Sequence, residues 1–346
     1  MNRNERETTV LAAVIEEYIS TGEPVPSSLV TEKSRLGLSA ASIRSVMAKL
    51  TDEGYLAQPH ISSGRIPTAK AFRLYVDTVL APRPLSAVQK NALTKALDVE
   101  NPDISQILRK ASGVVSAQCM QLGVVLAPRR DEMRWRAIEF SPVSANLVLA
   151  VLILDGGLVR NRMVAVSTEY SSDELTRFSN YLNGNFKGCT LSEARDRMET
   201  ELTLAGEELE EMCKNALALS RPALEDQSGE REVFMDGIAQ VSHTSAFADT
   251  ARLRELLSFM EERPKILDLL ERTMNSRDVS VSFIQGEYDT PWAVVSAPYA
   301  REQRALPLGI VSAVGLWHMN YATVLPVVAH IASSVAAVMR SRLEIS

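Results

Sequence analysis

The chain has 346 residues, 46% hydrophobic and 23% charged, which is enough for two or three ordinary globular domains. Its 37 basic and 43 acidic residues give a net charge of −6, which excludes a protein that is basic over its whole surface. The cysteines, Cys119, Cys189 and Cys213, lack zinc-motif spacing and a disulfide framework, and this indicates a reducing cytoplasm.

The N-terminal 80 residues carry the signals of four helices and one hairpin. Their predicted ranges are residues 6–19, 27–35, 40–53 and 68–80 for the helices, and residues 55–66 for the hairpin. Apolar residues recur at helical spacing in each helix, and Ser27, Ser39 and Thr68 are suitable N-caps. A glycine and two prolines after Thr21 end the first helix, and Gly54 ends the third.

The rest of the chain alternates between strand and helix patterns. Strands are predicted at residues 122–126, 135–140, 146–154, 158–166, 279–284, 292–296 and 308–314. Helices are predicted at residues 87–97, 171–219, 250–261, 264–274 and 326–340. Asp155-Gly-Gly predicts a hairpin turn. Strands, a helical block and strands again indicate one α+β domain that is interrupted by an insertion.

One long segment without charge raises the question of a membrane. Residues 305–339 contain no acidic or basic side chain, but prolines, glycines, histidines and an asparagine interrupt the apolar run. A membrane span needs about 20 consecutive apolar residues. We therefore expect a buried strand, a loop and a buried helix, with no membrane contact. The polar N-terminus, Met1 to Glu7, shows no signal peptide.

Three short helices, a glycine-containing turn and a hairpin are typical of a winged helix-turn-helix, which binds double-stranded DNA. The third helix would pack on its own domain through Ile43, Val46, Met47 and Leu50 and present its other face to the major groove. The candidate DNA-binding residues are Ser39, Ala41, Ser42, Arg44, Ser45 and Lys49 in the helix, and His60, Ser63, Gly64 and Arg65 in the hairpin.

Local charge supports this interpretation. Residues 27–75 contain seven basic and three acidic side chains, a net charge of +4 in a chain whose total is −6, so the remainder carries −10. A basic head on an acidic body is what docking to nucleic acid requires. The alternative is a small helical domain whose charges are merely solvated. His60 could contact a phosphate or simply occupy a turn.

The sequence contains no recognisable catalytic or metal-binding constellation. His243, His318 and His330 are too dispersed for a metal site. No nucleophile elbow and no phosphate-binding loop is apparent, so we expect no enzyme activity and no cofactor.

Two long motifs resemble the HrcA family of heat-inducible repressors. These are AASIRSVMAKLTDEGYL at residues 40–56 and QPHISSGRIPT at residues 58–68. Residues 18–25 and 75–77 match as well, and Gly309, Gly315, Met319 and Tyr321 follow the family spacing near the C-terminus.

This resemblance implies a homodimer that binds an inverted-repeat operator of chaperone genes and that the GroEL chaperonin keeps active. It also implies a winged-helix domain, a GAF-like domain and a dimerisation domain inserted into the latter. The expected boundaries are 1–80 for the winged-helix domain, 81–103 for the linker, 104–170 for the first GAF-like part, 171–245 for the insertion and 246–346 for the second GAF-like part.

Two other functions stay open at this point. The GAF-like domain could bind a small molecule and make the protein a ligand-responsive regulator. An enzyme with an accessory DNA-binding head is the weaker alternative, because catalytic residues are not apparent. An effector that changes DNA affinity would favour the ligand-responsive regulator.

Overall fold

The structure is a computed structural model that describes residues 3–33, 37–60, 63–98, 103–155, 158–204, 211–224, 231–242, 250–274, 276, 278–285, 290–300 and 307–343. It is a mixed α and β protein with three separate sheets. We call residues 3–80 the head, residues 135–224 the insert, and the five-stranded sheet with its covering helices the body.

The head contains the helices and the hairpin expected from the sequence. Its elements are α1 (Arg3–Thr21), α2 (Ser27–Lys33), α3 (Ala40–Asp52), β1 (Leu56–Ala57), β2 (Ile66–Pro67) and α4 (Ala69–Leu74). The buried face of α3 consists of Ile43, Met47 and Leu50 and packs with Val10 and Val14 of α1. Strands β1 and β2 are antiparallel. A single π-helical turn, Tyr75–Val79, follows α4 and ends the head.

The body is built on a five-stranded antiparallel sheet in the order β7-β3-β10-β9-β8. Its strands are β3 (Leu122–Leu126), β7 (Val233–Asp236), β8 (Ser280–Gln285), β9 (Pro291–Tyr299) and β10 (Gly309–Leu316). One face packs against α6 (Ile104–Cys119) and α13 (Tyr321–Leu343). The other face packs against α11 (Thr250–Glu261) and α12 (Arg263–Thr273), with Leu256, Ile266 and Leu270 in that core.

Three elements of the body had no counterpart in the sequence prediction: α6, β7 and the short helix at residues 238–242. Helix α6 begins at Ile104, and its N-cap Asp103 accepts a hydrogen bond from the backbone of Gln106. Strand β7 has only four residues, too few for an alternation pattern. Two short helices, α5 (Ala87–Ala96) and α10 (Ile238–Ser242), complete the body, and α5 lies against α13.

The insert contains a sheet of its own. Strands β4 (Trp135–Ser144), β5 (Leu147–Leu154) and β6 (Val159–Ala165) pair only with one another within the described part of the chain. Helices α7 (Ser172–Phe186), α8 (Leu191–Leu204) and α9 (Glu211–Leu224) follow, and α7 and α9 cover one face of this sheet.

The expected boundary at residue 171 therefore does not match the sheets. Strands β4–β6 were expected in the first part of the GAF-like domain, but they lie with the helical block, between β3 and β7 of the body sheet. Strand patterns do not reveal which partner a strand will find. The expected second boundary, at 245, falls outside the described residues, as do the two glycines of the predicted turn at 155–157.

The uncharged C-terminal segment forms core, as expected. It supplies β10, whose residues are all buried, and then α13. Within the described residues, Tyr321–Arg340 is the single stretch long and apolar enough to cross a membrane, and half of its most apolar window is buried inside the protein. Val328, Ile331 and Val335 face the interior.

An aromatic cluster joins the head to the body. The fully buried ring of Phe72 in α4 lies 5.8 Å from the ring of Phe283, 6.1 Å from that of Trp317 and 6.0 Å from that of Tyr321, by their centroids. Tyr18 of α1 completes the cluster at 6.2 Å from Phe72. Ring pairs at this separation are favourable beyond their burial alone. The head is therefore held in one orientation on the body.

Candidate nucleic-acid interface

Helix α3 presents a face of small and basic residues to solvent. Ser39 caps the helix, with its side chain accepting a hydrogen bond from the backbone N–H of Ser42. Ala41, Arg44 and Ser45 are exposed, on the side opposite the buried face. Small residues in the first turn leave the positive N-terminal end of the helix open to an anion.

Arg44 is the exposed basic residue of this face. Its side chain is exposed and makes no hydrogen bond or ion pair with any residue that the structure describes. A guanidinium at this position can donate two parallel hydrogen bonds to an external acceptor, such as a guanine edge or a phosphate.

Lys49 was expected beside Arg44 but is bound within the head. Its Nζ lies 2.6 Å from Oε1 of Glu7 in α1 and 3.4 Å from Oε1 of Glu53. The hydrogen bond to Glu7, with a smaller contribution from Glu53, raises the pKa of Lys49 above its usual value. Lys49 is therefore ion-paired within the head, whereas Arg44, on the same helix, is exposed.

His60 and Ser63 are hydrogen-bonded to each other between strands β1 and β2. The Ser63 hydroxyl accepts a hydrogen bond from the backbone N–H of His60, 3.0 Å away, and donates one to the His60 carbonyl oxygen at 2.7 Å. The side chain of His60 is exposed. Residues 61 and 62, between them, lie outside the described residues.

Gly64 and Arg65 hold the hairpin to the rest of the head. The backbones of Arg65 and Val25 exchange two hydrogen bonds of 2.9 Å. A Cβ on Gly64 would lie 2.5 Å from the carbonyl carbon of Val25, so this approach needs a glycine. The Arg65 Nε donates to the hydroxyl of Thr51 at 3.1 Å, which directs its guanidinium towards the last turn of α3.

Two further bases border this surface. The Nζ of Lys70 donates to the Glu53 carbonyl oxygen at 2.9 Å and lies 4.2 Å from the ring centre of Tyr55, so Lys70 is also bound within the head. Arg73 is exposed, and it lines a cleft between the head and the body. The sequence could not distinguish these bases, because their partners lie far from them in the chain.

Comparison with known proteins decides the family. The family model described as the HrcA protein C terminal domain matches residues 105–325. The heat-inducible transcription repressor HrcA of Nitratidesulfovibrio vulgaris (strain Miyazaki F) is 48% identical, over 98% of this chain and 96% of that protein. The chain belongs to the HrcA family. The HrcA repressor of Geobacter sulfurreducens is 35% identical, with coverage of 97% of this chain and 98% of that one.

The family resemblance inferred from residues 40–68 is thus confirmed, and the HrcA relatives are named as repressors of transcription rather than as enzymes. A crystal structure of a protein described as hypothetical superposes with a TM-score of 0.64 at 19% identity, over 99% of both chains. That likeness concerns the fold alone, and it extends over head, body and insert.

Proposed function

We propose that this protein is a repressor that binds double-stranded DNA through a winged helix-turn-helix in its head. Helix α3 would enter the major groove and the β1–β2 hairpin would be the wing. The observation that carries this proposal is the outward face of α3, with a capped N-terminus, small residues and the free guanidinium of Arg44. The names of the relatives support control of heat-shock genes.

The test is binding to an inverted repeat from the promoter of a chaperone operon, with scrambled DNA of equal length for comparison. Arg44→Ala removes a base contact worth about 1–3 kcal/mol, so operator affinity should fall by about fivefold to 150-fold and scrambled DNA should lose less. Arg254→Ala is the matched control, because it removes the same charge from an exposed site in α11 of the body. Equal losses for the two variants would contradict the assignment.

We propose further that the protein is a homodimer. One head reads few base pairs, whereas two heads related by a two-fold axis match an inverted repeat. The supporting surface is the open face of the insert sheet, where Leu149 and Ile153 of β5 pair with Met163 and Val159 of β6. Met163 and Val159 are 57% and 56% exposed.

We prefer this surface as the dimer interface to the helices α7–α9, which lie in the dimerisation domain expected at residues 171–245. Along β5, buried and half-buried residues alternate strictly, and the buried ones face α7 and α9. On the other face, β5 contributes half-buried aliphatic residues and β6 the exposed Val159 and Met163, with Glu139 and Asn161 beside them. Exposed apolar side chains that lie together mark an interaction site in soluble proteins. The same patch on two copies would be self-complementary, as an isologous interface requires.

The dimer test uses one substitution on each candidate surface. Leu149→Glu places a charge on the open sheet face and should give a monomer in sedimentation, with loss of the full inverted repeat's affinity. Thr176→Glu makes an equivalent change on the exposed side of α7 and should leave the dimer intact. Dissociation by Thr176→Glu alone would assign the interface to the helical block instead.

The proposal includes the GroEL chaperonin as a partner and the cytoplasm as the location. One segment supports the chaperonin: residues 305–339, which include β10 and most of α13, contain no Asp, Glu, Lys or Arg, and β10 and α13 pack against β3, β9 and α6. Such a segment is prone to aggregation while it is exposed. The free thiols of Cys119, Cys189 and Cys213 fit a reducing compartment.

One observation favours the second candidate function, a response to a small molecule. An open cleft of about 690 Å³ lies between Arg73, Val76 and Asp77 of the head and residues 278–281 and 325–329 of the body. A ligand bound there would contact both units, as ligands at domain interfaces do. A metabolite mixture that shifts the operator titration of the purified protein would support this function.

A further inference from the structure

Two acidic residues contact Lys49, the basic residue of α3 that is ion-paired within the head. The Glu7 carboxylate lies 2.6 Å from the Lys49 Nζ, and Glu53 lies 3.4 Å from the same atom. The Glu7 side chain is 14% exposed and the Lys49 side chain 37%. The pair joins α1 to α3, two helices whose relative position the head core fixes through Val10, Val14 and Ile43.

We propose that Glu7 is a specificity-determining residue of the DNA interface: it binds Lys49 and so withholds a phosphate contact from each head. This inference rests on the proposed function. A lysine that contacts phosphate strengthens binding to every sequence, and so it raises the affinity for non-operator DNA together with that for the operator. Discrimination depends on the ratio of the two affinities, which improves when contacts that carry no sequence information are few.

The charge balance points in the same direction. Glu7, Glu53 and Lys49 together carry a net charge of −1, so Lys49 adds no net positive charge to the last turns of α3, where Arg65 and Lys70 also lie. Arg44 lies five residues earlier, about 7.5 Å along the helix, and has no such partner among the described residues. Helix α3 thus has one exposed basic side chain, Arg44, which can contact the edge of a DNA base. The charge of its other basic side chain, Lys49, is neutralised by carboxylates.

The two acidic partners are not equivalent. Glu53 is four residues from Lys49 on the same exposed helix face, and surface pairs of this kind contribute little to stability. Glu7 is on a different helix, is mostly buried and makes the shorter contact. Glu7→Gln is therefore the change that should release Lys49, while the amide keeps the shape of the side chain.

The experiment measures the salt dependence of DNA binding by the full-length protein. One additional phosphate contact steepens the slope of log K against log salt by about 0.9. Two heads on the operator would make two such contacts. The ratio of the Glu7→Gln binding constant to that of the wild type should therefore fall by about tenfold between 50 and 200 mM salt. Glu17→Gln is the matched control, since it removes the same charge from another half-buried site about 15 Å further along α1.

A second variant tests whether Lys49 carries the effect. Lys49→Met should weaken binding to scrambled DNA more strongly in the Glu7→Gln background than in the wild type, with a coupling that double-mutant analysis measures. A purely structural role for the pair would lower thermal stability and operator affinity without changing the salt slope. Circular dichroism melts of all variants separate these two effects.

The outcomes distinguish this inference from the function on which it rests. If the wild type discriminates between operator and scrambled DNA, but Glu7→Gln leaves the salt slope and the scrambled-DNA affinity equal to those of Glu17→Gln, the inference is wrong and the repressor function stands. If the wild type shows no discrimination, both are wrong. A steeper slope together with a reduced operator-to-scrambled ratio supports the inference.

Discussion

At the scale of single residues, the hairpin depends on a glycine that was selected from the sequence as a DNA contact. The backbone of Pro24 and Val25 occupies the space that a Cβ at Gly64 would need, with the nearest atom 2.5 Å away. The sequence motif singled out the position, but it could not show that its neighbour is another part of the head. The position serves the packing of the hairpin, whatever it contributes to phosphate binding.

Gly64→Ala should therefore destabilise the head. Overpacking against backbone costs about 1–3 kcal/mol, because Val25 cannot move without losing its two hydrogen bonds to Arg65. Thermal unfolding followed by circular dichroism measures the loss. Gly184→Ala in α7 is the control: nothing lies within 4 Å of its Cβ position, and it should raise stability by about 0.5–1 kcal/mol. Equal melting temperatures for the two variants would contradict the packing role.

Arg65 differs from Arg44 because a hydrogen bond within the head holds its side chain. Its Nε donates to Thr51, so its remaining donors sit at the junction of hairpin and recognition helix. Arg65→Ala should weaken operator and scrambled DNA by similar factors, because a phosphate contact carries no sequence information. Titrations of both DNAs at one salt concentration give the two ratios. A selective loss of operator binding would instead place Arg65 against a base.

At the scale of elements, the sequence predicted structures that depend on local interactions better than those that depend on contacts between distant parts of the chain. Helix α3 was predictable because its cap Ser39 and its buried face at Ile43, Met47 and Leu50 are local signals. The sheets were not, because β3 pairs with β10 and with β7 across more than a hundred residues of chain. Partners at such separations leave no pattern in either segment, so the sequence could not show that β4–β6 form a sheet separate from that of β3 and β7.

The same limit applies to the candidate site. The sequence identified the exposed face of α3 and the hairpin, because both follow from periodicity and turn residues. It did not show that Lys49 is bound to Glu7, forty-two positions earlier, or that Lys70 is bound to the Glu53 carbonyl oxygen. The structure was required to decide which bases are available to a partner.

The aromatic cluster between head and body makes a prediction about cooperativity. Phe283 of β8 contacts the rings of Phe72, Trp317 and Tyr321. Because Phe283 is only partly buried, Phe283→Ala should cost less than the about 3–5 kcal/mol of a fully buried phenylalanine, and it should separate the unfolding of the head from that of the body. Two transitions in chemical denaturation, against one for the wild type, would show the separation. Phe283→Leu keeps most of the volume and should retain a single transition.

At the scale of the whole molecule, the proposed chaperonin dependence would be set by the fraction of the protein that is folded. A loss of about 1–2 kcal/mol of stability changes the native population several-fold when a protein is marginally stable. We expect refolded protein to bind operator more fully with GroEL and ATP than without, and a heat pulse to widen that difference. Operator titrations in the four conditions measure it, and equal binding in all four would exclude chaperonin dependence.

The position of the insert has a consequence for how repressors of this shape can diversify. It leaves the body after β3 and returns before β7, and Leu126 and Val233 at these two ends are paired neighbours in one antiparallel ladder. A tight turn could close that gap, so the sheet does not need the insert in order to be continuous. The insert is thus a separable module, and in the proposed dimer an insert of another length would change the distance between the two heads without changing either head.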